Sequence, residues 1–378
     1  MKKIRIIFTG GGTGGHIYPL VAVFKEVKRI ADKNNREIEA RFFGASGKYQ
    51  TMLEGYGMKI GKIISSKIRR YFSPLNLLEP FKFIYGIFQA LIKVYFFMPD
   101  VIFSKGGPGA LPVVLAGFFY RIPVIIHESD AVPGLTNRIS AKFAKRIAIS
   151  FKSAEVFFNG KKTALVGNPV RDDLINNRDD QIFAKRYWGF NPEKPVILVL
   201  GGSQGSEIIN DVIIRNAPEL LKKYQIIHQT GEDKFKEAKG ELEFIGKEIG
   251  KEEAKNYQLL AYLSKDLKEA YTAADLVVGR AGAGTIFEIA SFGKPAILIP
   301  LANSAGEHQR LNAYEFTETG GGKVIEEDNL LNNVLLIQID KILSDKDNLK
   351  KMQEASLNFF IPNSAEMIGE EIFRIASF

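Results

Sequence analysis

The sequence predicts an α/β protein made of two doubly wound, Rossmann-like domains. The chain has 378 residues, which is long enough for two domains of about 150 residues or more. A strand, a glycine-rich loop and an amphipathic helix follow one another near the start of the chain, and the same unit returns near its middle. Short apolar runs separated by helical patterns fill both halves, as expected for sheets of buried parallel strands.

The first copy of this unit opens with the apolar residues 4–8 and continues with the glycine-rich residues 10–15. A helix is predicted next, with Pro19 in its first turn and one apolar face formed by Leu20, Val23, Phe24 and Val27. The second copy has an apolar run at 196–200, glycines within 201–205, and a helix face formed by Ile208, Ile209, Val212 and Ile213. Ligands of doubly wound domains bind at the carboxyl ends of the strands, so both loops are candidate sites.

Further strands are predicted where β-branched and aromatic residues cluster, at residues 40–43, 101–103, 124–126, 147–149, 226–228, 276–278 and 296–299. The turn at 167–169, followed by the polar residues 172–180, is typical of a linker. We therefore expect an N-terminal domain at residues 1–166 and a C-terminal domain at 167–362. Residues 363–378 should form a packing helix whose buried face holds Ile368, Ile372 and Ile375.

The composition limits the chemistry that the protein can perform. The chain has no cysteine, which excludes disulfides, thiolate metal sites and a cysteine nucleophile. Its 51 Lys and Arg against 43 Asp and Glu give a net charge of +8, an excess that favours an anionic partner. No secretory signal is evident at the start, and the apolar segment 81–97 is shorter than the roughly 20 residues of a spanning helix. We expect a cytoplasmic protein.

The glycine loops are candidate phosphate sites, because backbone N–H groups at a helix start can face a diphosphate. The first loop has neither the P-loop ending nor the spacing of a dinucleotide loop, so a plain strand-to-helix turn remains open. His16 follows it directly and adds a group for acid–base chemistry or phosphate contact. In the second loop Ser203 adds a hydroxyl, which favours phosphate contact over a plain turn.

A third glycine segment, residues 279–285, follows a predicted strand and enters a helix that carries Glu288 in its first turn. The Glu288 carboxylate either stabilises the helix dipole or accepts the hydroxyls of a ribose. Phosphate donors and a ribose acceptor in one half of the chain make a nucleotide the simplest ligand.

No essential metal is expected. Four histidines lie beside predicted strand ends or glycine loops, and no two have the spacing of a zinc-binding helix; they are His16, His127, His228 and His308. Asp345 and Asp347 lie at a polar helix start and are interpreted as capping residues.

The segment from residue 67 to residue 97 combines basic and aromatic side chains. Lys67, Arg69 and Arg70 come first. A helical pattern follows, with a narrow polar stripe of Lys82, Gly86, Gln89 and Lys93 and, elsewhere, Phe81, Ile84, Phe88, Ile92 and Tyr95. Such a segment suits contact with an anionic membrane surface. A helix that covers a sheet shows the same pattern, so both interpretations stay open.

Six motifs occur in an order that resembles the MurG family, the UDP-N-acetylglucosamine:undecaprenyl-diphospho-muramoylpentapeptide N-acetylglucosaminyltransferases that convert lipid I to lipid II. They lie at residues 11–16, 104–107, 127–130, 167–171, 201–205 and 307–313. The resemblance implies two Rossmann-like domains facing a cleft, the GT-B arrangement. It also implies that the UDP-sugar binds mainly to the C-terminal domain and the lipid-linked acceptor to the N-terminal one.

The resemblance further implies a set of substrate-binding residues. Thr13, Gly14 and Gly15 would meet diphosphate or donor sugar, and Arg171 and Ser203 the donor phosphates. Leu263 would meet the uracil, and His308 and Gln309 lie at the sugar, with Gln309 on its hydroxyls. The donor loop would hold Ala283, Gly284, Thr285, Ile286, Phe287 and Glu288, with Glu288 on the ribose. Asp130 stands where many relatives have Asn, and an aspartate can still accept from a hydroxyl.

The implied reaction inverts the anomeric centre, since the acceptor C4 hydroxyl attacks C1 of the donor sugar as UDP leaves. His16 is the first candidate for the base that removes the hydroxyl proton, and Glu128 is the second. Arg171, Ser203 and the third glycine segment would stabilise the leaving diphosphate, so neither a metal nor a cofactor is expected.

The expected partners are UDP-GlcNAc, undecaprenyl-linked lipid I and an anionic membrane surface, and no nucleic acid is expected. The protein would act in peptidoglycan synthesis, and so in cell shape and division, as a peripheral protein on the cytoplasmic face of the bacterial cell membrane. Two alternatives stay open. A UDP-sugar transferase acting on diacylglycerol would share the layout and the apolar patch, whereas a nucleotide-binding oxidoreductase is supported by the glycine loops alone.

Overall fold

The computed structural model describes residues 3–65, 78–176, 178–202, 204–246, 249–302, 304–330 and 333–377. Ser203 and the basic residues Lys67, Arg69 and Arg70 lie outside these ranges. The chain forms two compact units, unit 1 (Met1–Arg171 with Ile361–Phe378) and unit 2 (Asp172–Phe360). The division falls after Arg171, a few residues beyond the expected boundary, because the carbonyl of Gly167 accepts hydrogen bonds from His127 and Ser150 of unit 1.

Unit 1 contains a seven-stranded sheet in the order β3-β2-β1-β4-β5-β6-β7, and every neighbouring pair is parallel. The strands are β1 (Ile4–Thr9), β2 (Ile38–Gly44), β3 (Lys59–Lys62), β4 (Val101–Ser104), β5 (Val124–Glu128), β6 (Arg146–Ile149) and β7 (Thr163–Leu165). Its helices in the described ranges are α1 (Gly14–Lys33), α2 (Gln50–Gly55), α3 (Glu79–Phe97), α4 (Ala110–Phe119), α5 (Leu135–Ser140) and α17 (Ser364–Ala376).

Helix α1 lies between the sheet of unit 1 and the terminal helix α17. Ile368, Ile372 and Ile375 of α17 are buried in the same core as α1 and β1, as their spacing predicts. Arg29 of α1 forms an ion pair with Glu366 of α17 at 2.6 Å. The expectation for Pro19 is wrong, because α1 already begins at Gly14 and Pro19 lies inside the helix.

Unit 2 contains a six-stranded parallel sheet in the order β10-β9-β8-β11-β12-β13. The strands are β8 (Val196–Leu200), β9 (Gln225–Gln229), β10 (Tyr257–Leu260), β11 (Leu276–Gly279), β12 (Ala296–Leu298) and β13 (Gly322–Val324). Its described helices are α6 (Asp172–Ile175), α7 (Gln181–Tyr187), α8 (Glu207–Arg215), α9 (Ala217–Lys223), α10 (Phe235–Ile245), α11 (Lys251–Ala254), α12 (Leu267–Ala273), α13 (Ala283–Ser291), α14 (His308–Glu318), α15 (Val334–Ser344) and α16 (Lys346–Phe359). Asp345 caps α16, since its carboxylate accepts from Asn348 N at 3.0 Å.

Each sheet has one point where the strand order reverses. In unit 1 this point lies between β1 and β4, and in unit 2 between β8 and β11. Ligands of doubly wound folds bind beyond the carboxyl ends of such strands. The loops there are residues 10–13 and 105–109 in unit 1, and 201–206 and 280–282 in unit 2, so the glycine motifs lie at both switch points.

Helix α3 buries small residues along its middle and Phe97 at its end, and it exposes most of its other large apolar side chains. Gly86, Ala90 and Val94 face the interior, and Gln89 accepts from Ile64 N at 2.9 Å. The side chains opposite are exposed, with Phe81 at 70% and Phe88 at 59%. Part of the predicted polar stripe therefore faces inward. In the described part of the chain, no helix is long and apolar enough to cross a membrane.

His228 in β9 is a buried neutral imidazole with both ring nitrogens in hydrogen bonds. Its Nε2 lies 3.0 Å from Asn210 Oδ1 and its Nδ1 lies 2.7 Å from Tyr257 Oη. Because the Asn oxygen can only accept, Nε2 donates and Nδ1 accepts from the tyrosine hydroxyl. Burial lowers the pKa of His228 to about 3. This histidine is therefore structural.

This neutral histidine makes stability fall as the pH is lowered. Between its usual pKa of 6.5 and about 3, the unfolded chain binds a proton that the folded chain does not, so the free energy of unfolding decreases with falling pH. We expect His228→Gln to remove up to about 1.4 kcal/mol of that loss per pH unit. The remaining loss of stability at low pH, which comes in part from the lowered pKa values of His16 and His127, should persist in this variant.

Urea unfolding of the wild type, His228→Gln and the control His308→Gln, each at several pH values between 7 and 4, measures this difference. An equal loss of stability in the wild type and His228→Gln would contradict the assignment.

Candidate active site

The first glycine loop leads straight from β1 into α1 and places His16 in the first turn of that helix. Thr13 precedes the helix in extended conformation and is exposed. Its hydroxyl lies 2.8 Å from His16 Nδ1. Gly14 needs to be small, because a Cβ there would lie 3.0 Å from Tyr49 Oη and 3.2 Å from the ring of Tyr18. The loop therefore presents a hydroxyl and an imidazole at the switch point of unit 1.

The His16 imidazole is neutral at physiological pH. Although part of the side chain is exposed, the ring lies among the atoms of the loops at residues 10–13 and 105–109. The resulting loss of hydration and the positive charge of Lys105 lower the pKa of His16 to about 4, and Asp130 opposes this shift. A neutral imidazole can accept a proton, which is what a general base requires.

Lys105 joins three of the motifs in one buried network. Its ammonium contacts His127 Nδ1, donates to Ser129 Oγ at 2.5 Å and lies 3.4 Å from Asn168 Oδ1. The Nε2 of His127 lies 3.0 Å from the carbonyl of Gly167. Residues 104–107, 127–130 and 167–171, which are far apart in sequence, thus meet at one edge of the sheet.

Glu128 holds the loop that follows β5. Its Oε1 accepts from Asp130 N at 3.0 Å, and its Oε2 accepts from Gly134 N at 3.2 Å and Asn137 Nδ2 at 2.9 Å. The side chain is buried, and this burial raises its pKa to about 7 even though the hydrogen bonds and Lys105 favour the charged form. Asp130, at the start of the loop, is partly exposed.

Arg171 belongs to unit 1 and lies beside α1. Its guanidinium carbon is 4.9 Å from the centre of the Tyr18 ring. Tyr18 in turn meets Tyr49 edge to face at 5.7 Å. The arginine expected at the donor phosphates therefore lies over the ring of Tyr18, in the second turn of α1.

The second glycine loop packs against the end of β9. A Cβ on Gly205, whose φ is +79°, would collide with the carbonyl of Thr230, so only glycine fits there. Gln229 ties this loop to the next one, since its Nε2 donates to Gly202 O at 3.1 Å and its Oε1 accepts from Leu263 N at 2.9 Å. Leu263 is buried, and Gln229 fixes its backbone.

Arg280 organises the third glycine segment. Its guanidinium donates to Ser206 Oγ at 2.7 Å and to Ile299 O at 3.1 Å, and it forms an ion pair with Glu327 at 2.5 Å. Glu327 also accepts from Ala302 N at 2.9 Å. One side chain thus joins the ends of the second loop, the third segment and the loop after β12.

Helix α13 divides the expected donor loop into buried and accessible residues. Ile286 and Phe287 lie in the core, where the Phe287 ring is 5.3 Å from Phe359. Gly284, Thr285 and Glu288 are partly exposed, and Ala283 is buried. Glu288 lies in the second turn rather than the first, so the dipole interpretation loses its basis. Tyr271 Oη donates to Glu288 Oε2 at 3.1 Å.

His308 and Gln309 are the first two residues of helix α14, and both are partly exposed. The carbonyl oxygen of the Gln309 side chain accepts from Leu301 N at 3.1 Å, which orients its amide. Asn312 on the same helix donates to Ala281 O at 3.2 Å and so links α14 to the third glycine segment. Within the described ranges, no group of three His, Asp or Glu side chains could hold a metal ion.

Two family models match the chain, one in each half. The glycosyltransferase family 28 N-terminal domain matches residues 6–149, and the glycosyltransferase family 28 C-terminal domain matches residues 196–368. A UDP-N-acetylglucosamine–N-acetylmuramyl-(pentapeptide) pyrophosphoryl-undecaprenol N-acetylglucosamine transferase of Clostridium tetani is 34% identical, over 97% of this chain and 98% of that protein. The enzyme of the same name from Clostridium kluyveri is 36% identical, over 94% of this chain and 96% of that protein.

This chain belongs to the MurG family of glycosyltransferases. A crystal structure of Acinetobacter baumannii MurG superposes with a TM-score of 0.74 at 24% identity, covering 98% of this chain and 99% of that one. At that identity the likeness concerns the fold, and it agrees with the prediction of two parallel α/β domains.

The six motifs of the MurG resemblance are divided between the two units. Four lie in unit 1 (residues 11–16, 104–107, 127–130 and 167–171), and two lie in unit 2 (201–205 and 307–313). Within each unit, side chains outside the expected set make the links. In unit 1 Lys105 makes them, while Asn137 holds the Glu128 carboxylate, and in unit 2 Gln229 and Arg280 make them. Their sequence signal is weak, because an Asn, Gln or Arg at a strand end or in a loop is common on any protein surface.

Proposed function

We propose that this MurG family member transfers N-acetylglucosamine from UDP-N-acetylglucosamine to lipid I and so forms lipid II. The observation that carries this proposal is the match to transferases of that name over nearly the whole length of both chains. In the reaction, the C4 hydroxyl of the muramoyl sugar attacks C1 of the donor sugar. The C1–oxygen bond to UDP breaks, and the hydroxyl proton passes to a base.

We assign donor binding to unit 2. Backbone N–H groups of residues 201–205 face the phosphates, together with the Ser203 hydroxyl, and Glu288 accepts the ribose hydroxyls. Tyr271 supports this role, because its hydroxyl donates to Glu288 Oε2 at 3.1 Å and so helps to orient the carboxylate. Leu263 meets the uracil through its backbone, which Gln229 orients. Gln309 and His308 contact the sugar.

Ala283 is buried at the start of α13, where its backbone N–H is the proposed contact. Ile286 N donates to Gly282 O and Phe287 lies in the core, so we propose that both support the loop by packing, whereas Gly284 and Thr285 stay accessible.

We assign acceptor binding and the base to unit 1. Thr13, Gly14 and Gly15 present a hydroxyl and backbone N–H groups at the start of α1, where an anion is stabilised. If His16 Nδ1–H donates to Thr13 Oγ1, Nε2 is left to take the proton of the acceptor hydroxyl. Arg171, held on Tyr18, supplies positive charge, and Asp130 accepts from a sugar hydroxyl.

His16 is a better base than Glu128. Both carboxylate oxygens of Glu128 accept N–H groups of the loop that it organises, and its side chain is buried. His16 has one nitrogen on Thr13 and part of its surface exposed. The accessibility of the two side chains decides between them, since a base must reach the proton that it removes.

A comparison of acceptors tests the proposed function. Labelled UDP-N-acetylglucosamine is incubated with the protein and either a lipid I analogue or diacylglycerol in the same detergent. We expect label on the lipid I analogue only. Transfer to diacylglycerol instead would favour the alternative acceptor, and the absence of transfer to either would contradict the proposal. Membership of a glycosyltransferase family removes the basis of the oxidoreductase alternative.

We also propose that unit 1 docks on the cytoplasmic face of the membrane. The acceptor carries a polyprenyl tail that stays in the bilayer, so the protein must reach it at the surface. The exposed aromatic face of α3 offers apolar contact, and Phe118 and Phe119 at the end of α4 are exposed as well. Lys67, Arg69 and Arg70 would add attraction to anionic lipid, about 1 kcal/mol for each cation near the surface.

Vesicle sedimentation tests this docking. We expect the wild type to bind anionic vesicles more strongly than neutral ones, and less strongly at high salt. Phe81→Ser with Phe88→Ser should weaken binding about tenfold or more, since full burial of one such side chain is worth about 1.5–3 kcal/mol. Changing Leu75 and Leu78 to Ser, and Arg69 and Arg70 to Glu, should weaken it further.

The matched control is Ile182→Ser with Phe183→Ser on α7 of unit 2, where Phe183 is also largely exposed. Equal binding by the wild type and both unit 1 variants would show that the docking surface lies elsewhere.

A further inference from the structure

Lys105 is a buried cation whose hydrogen-bond partners are all neutral. Its side chain is 2% exposed, and its ammonium meets His127 Nδ1, Ser129 Oγ and Asn168 Oδ1. These acceptors use the three N–H donors of a protonated lysine. A buried charge is costly unless it is fully hydrogen-bonded, so the three segments that supply the acceptors are arranged around it.

The loop that begins at Lys105 forms the wall against which His16 lies. Lys105 N donates to Thr9 O at 2.9 Å, which anchors the loop beside the first glycine loop. A Cβ on Gly107 would lie 3.3 Å from His16 Cε1 and 2.9 Å from Gly11 Cα. The φ of Gly107 is +81°, so this position needs glycine. The backbone of the loop therefore packs directly on the imidazole.

We propose that Lys105 is a positioning residue for the transfer reaction. It holds the loop of residues 105–109 against His16, and it places a positive charge beside the imidazole. Lys105 is too buried to touch a substrate, so it acts through His16. The proposal rests on the assignment of His16 as the base, which the test below examines separately.

The charges around the site agree with this role. Burial lowers the pKa of Lys105 to about 7, while Glu128 and Asp130 act in the opposite direction. The charge of protonated Lys105 adds to the effect of burial on His16, against the opposing charge of Asp130, so that the His16 imidazole stays neutral and able to accept a proton.

The test measures the pKa of His16 directly. NMR titration of protein with ¹⁵N-labelled histidine gives four pairs of ring nitrogen signals, because the chain has four histidines, and His16→Gln assigns the relevant pair. In Lys105→Met we expect the pKa of His16 to rise above about 4 but to stay below 6.5, because burial, the larger cause of the shift, remains. The control Lys142→Met removes one charge from an exposed position of unit 1 and should leave it unchanged. An unchanged pKa of His16 in folded Lys105→Met would overturn the proposal.

A second variant covers the case in which Lys105→Met does not fold. Asn168→Asp keeps the lysine and places a carboxylate against its ammonium, which offsets the charge that His16 experiences. The pKa of His16 should again rise, and an unchanged value in this variant would also overturn the proposal.

The pH dependence of kcat/KM separates this inference from the proposed function. If the pKa of His16 rises in Lys105→Met and the acidic limb of kcat/KM moves up with it, both assignments are supported. If the pKa rises while the profile keeps its position, Lys105 still tunes His16, but His16 is not the base. A lower rate without any movement of either quantity would mean that Lys105 is merely structural.

Discussion

Replacing His16 by Ala is expected to lower the turnover number by about 10²- to 10⁴-fold, while the affinity for UDP-N-acetylglucosamine changes little. A general base acts mainly in the transition state, and its removal typically costs a factor of this size. The donor is assigned to unit 2, so loss of an imidazole in unit 1 should leave donor binding intact. Steady-state kinetics and calorimetry on the same preparation measure the two quantities.

A second variant and the pH dependence of kcat/KM test the role of His16 further. Thr13→Val removes the hydroxyl at 2.8 Å from His16 Nδ1 and should cost less than the loss of the ring. Because the pKa of His16 is about 4, kcat/KM of the wild type should show no loss assignable to this residue between about pH 8 and pH 6. Near-normal turnover of His16→Ala would remove it as the base and leave Glu128 as the next candidate.

Replacing Glu288 by Ala is expected to weaken UDP binding by about 1–3 kcal/mol, or about 5- to 150-fold, because the ribose loses its acceptor. Tyr271→Phe should give a smaller loss, since it removes only the hydroxyl that holds one Glu288 oxygen at 3.1 Å. Glu219→Ala, an exposed carboxylate on α9, is the control for net charge. Calorimetry with UDP measures all three variants, and an unchanged affinity in Glu288→Ala would show that the ribose lies elsewhere.

The predicted strands were the interior strands of the two sheets, and the strands that escaped prediction are all at edges. In the described sheets β3, β7, β10 and β13 are the outermost strands. Interior strands such as β8 and β11 are buried at every residue, which produces the continuous apolar runs of the sequence. β7 has no buried residue and β3 has one. An edge strand is covered on fewer sides, so its sequence carries a weaker signal.

The candidate site was predictable as a set of loops but not as a set of contacts. Glycine loops after apolar runs indicate switch points from sequence alone, because only their order along the chain is needed. The ammonium of Lys105 reaches Asn168 across more than sixty positions of sequence, and Arg280 reaches Ser206 across more than seventy. Such pairings depend on which strands become neighbours, and the residue types alone do not reveal that.

The orientation of α3 shows a further limit of sequence patterns. Its helical wheel is apolar almost all round, so periodicity could not tell which apolar residues face the sheet. In the structure the small residues Gly86 and Ala90 allow close packing, while Phe96 is 79% exposed. Phe97 is buried while Phe96 is exposed, so the residue types alone do not assign the two faces of this helix.

The configuration of the new glycosidic bond tests whether this chain is an inverting transferase that acts on the C4 hydroxyl of lipid I. Purified protein is incubated with UDP-N-acetylglucosamine and a lipid I analogue, and the new glycosidic bond is analysed by NMR. We expect a single β-linked N-acetylglucosamine on the C4 oxygen of the muramoyl sugar, formed with one equivalent of UDP and formed about 10²- to 10⁴-fold more slowly by His16→Ala. An α-linked product, attachment to another oxygen, or release of free N-acetylglucosamine in place of transfer would contradict it.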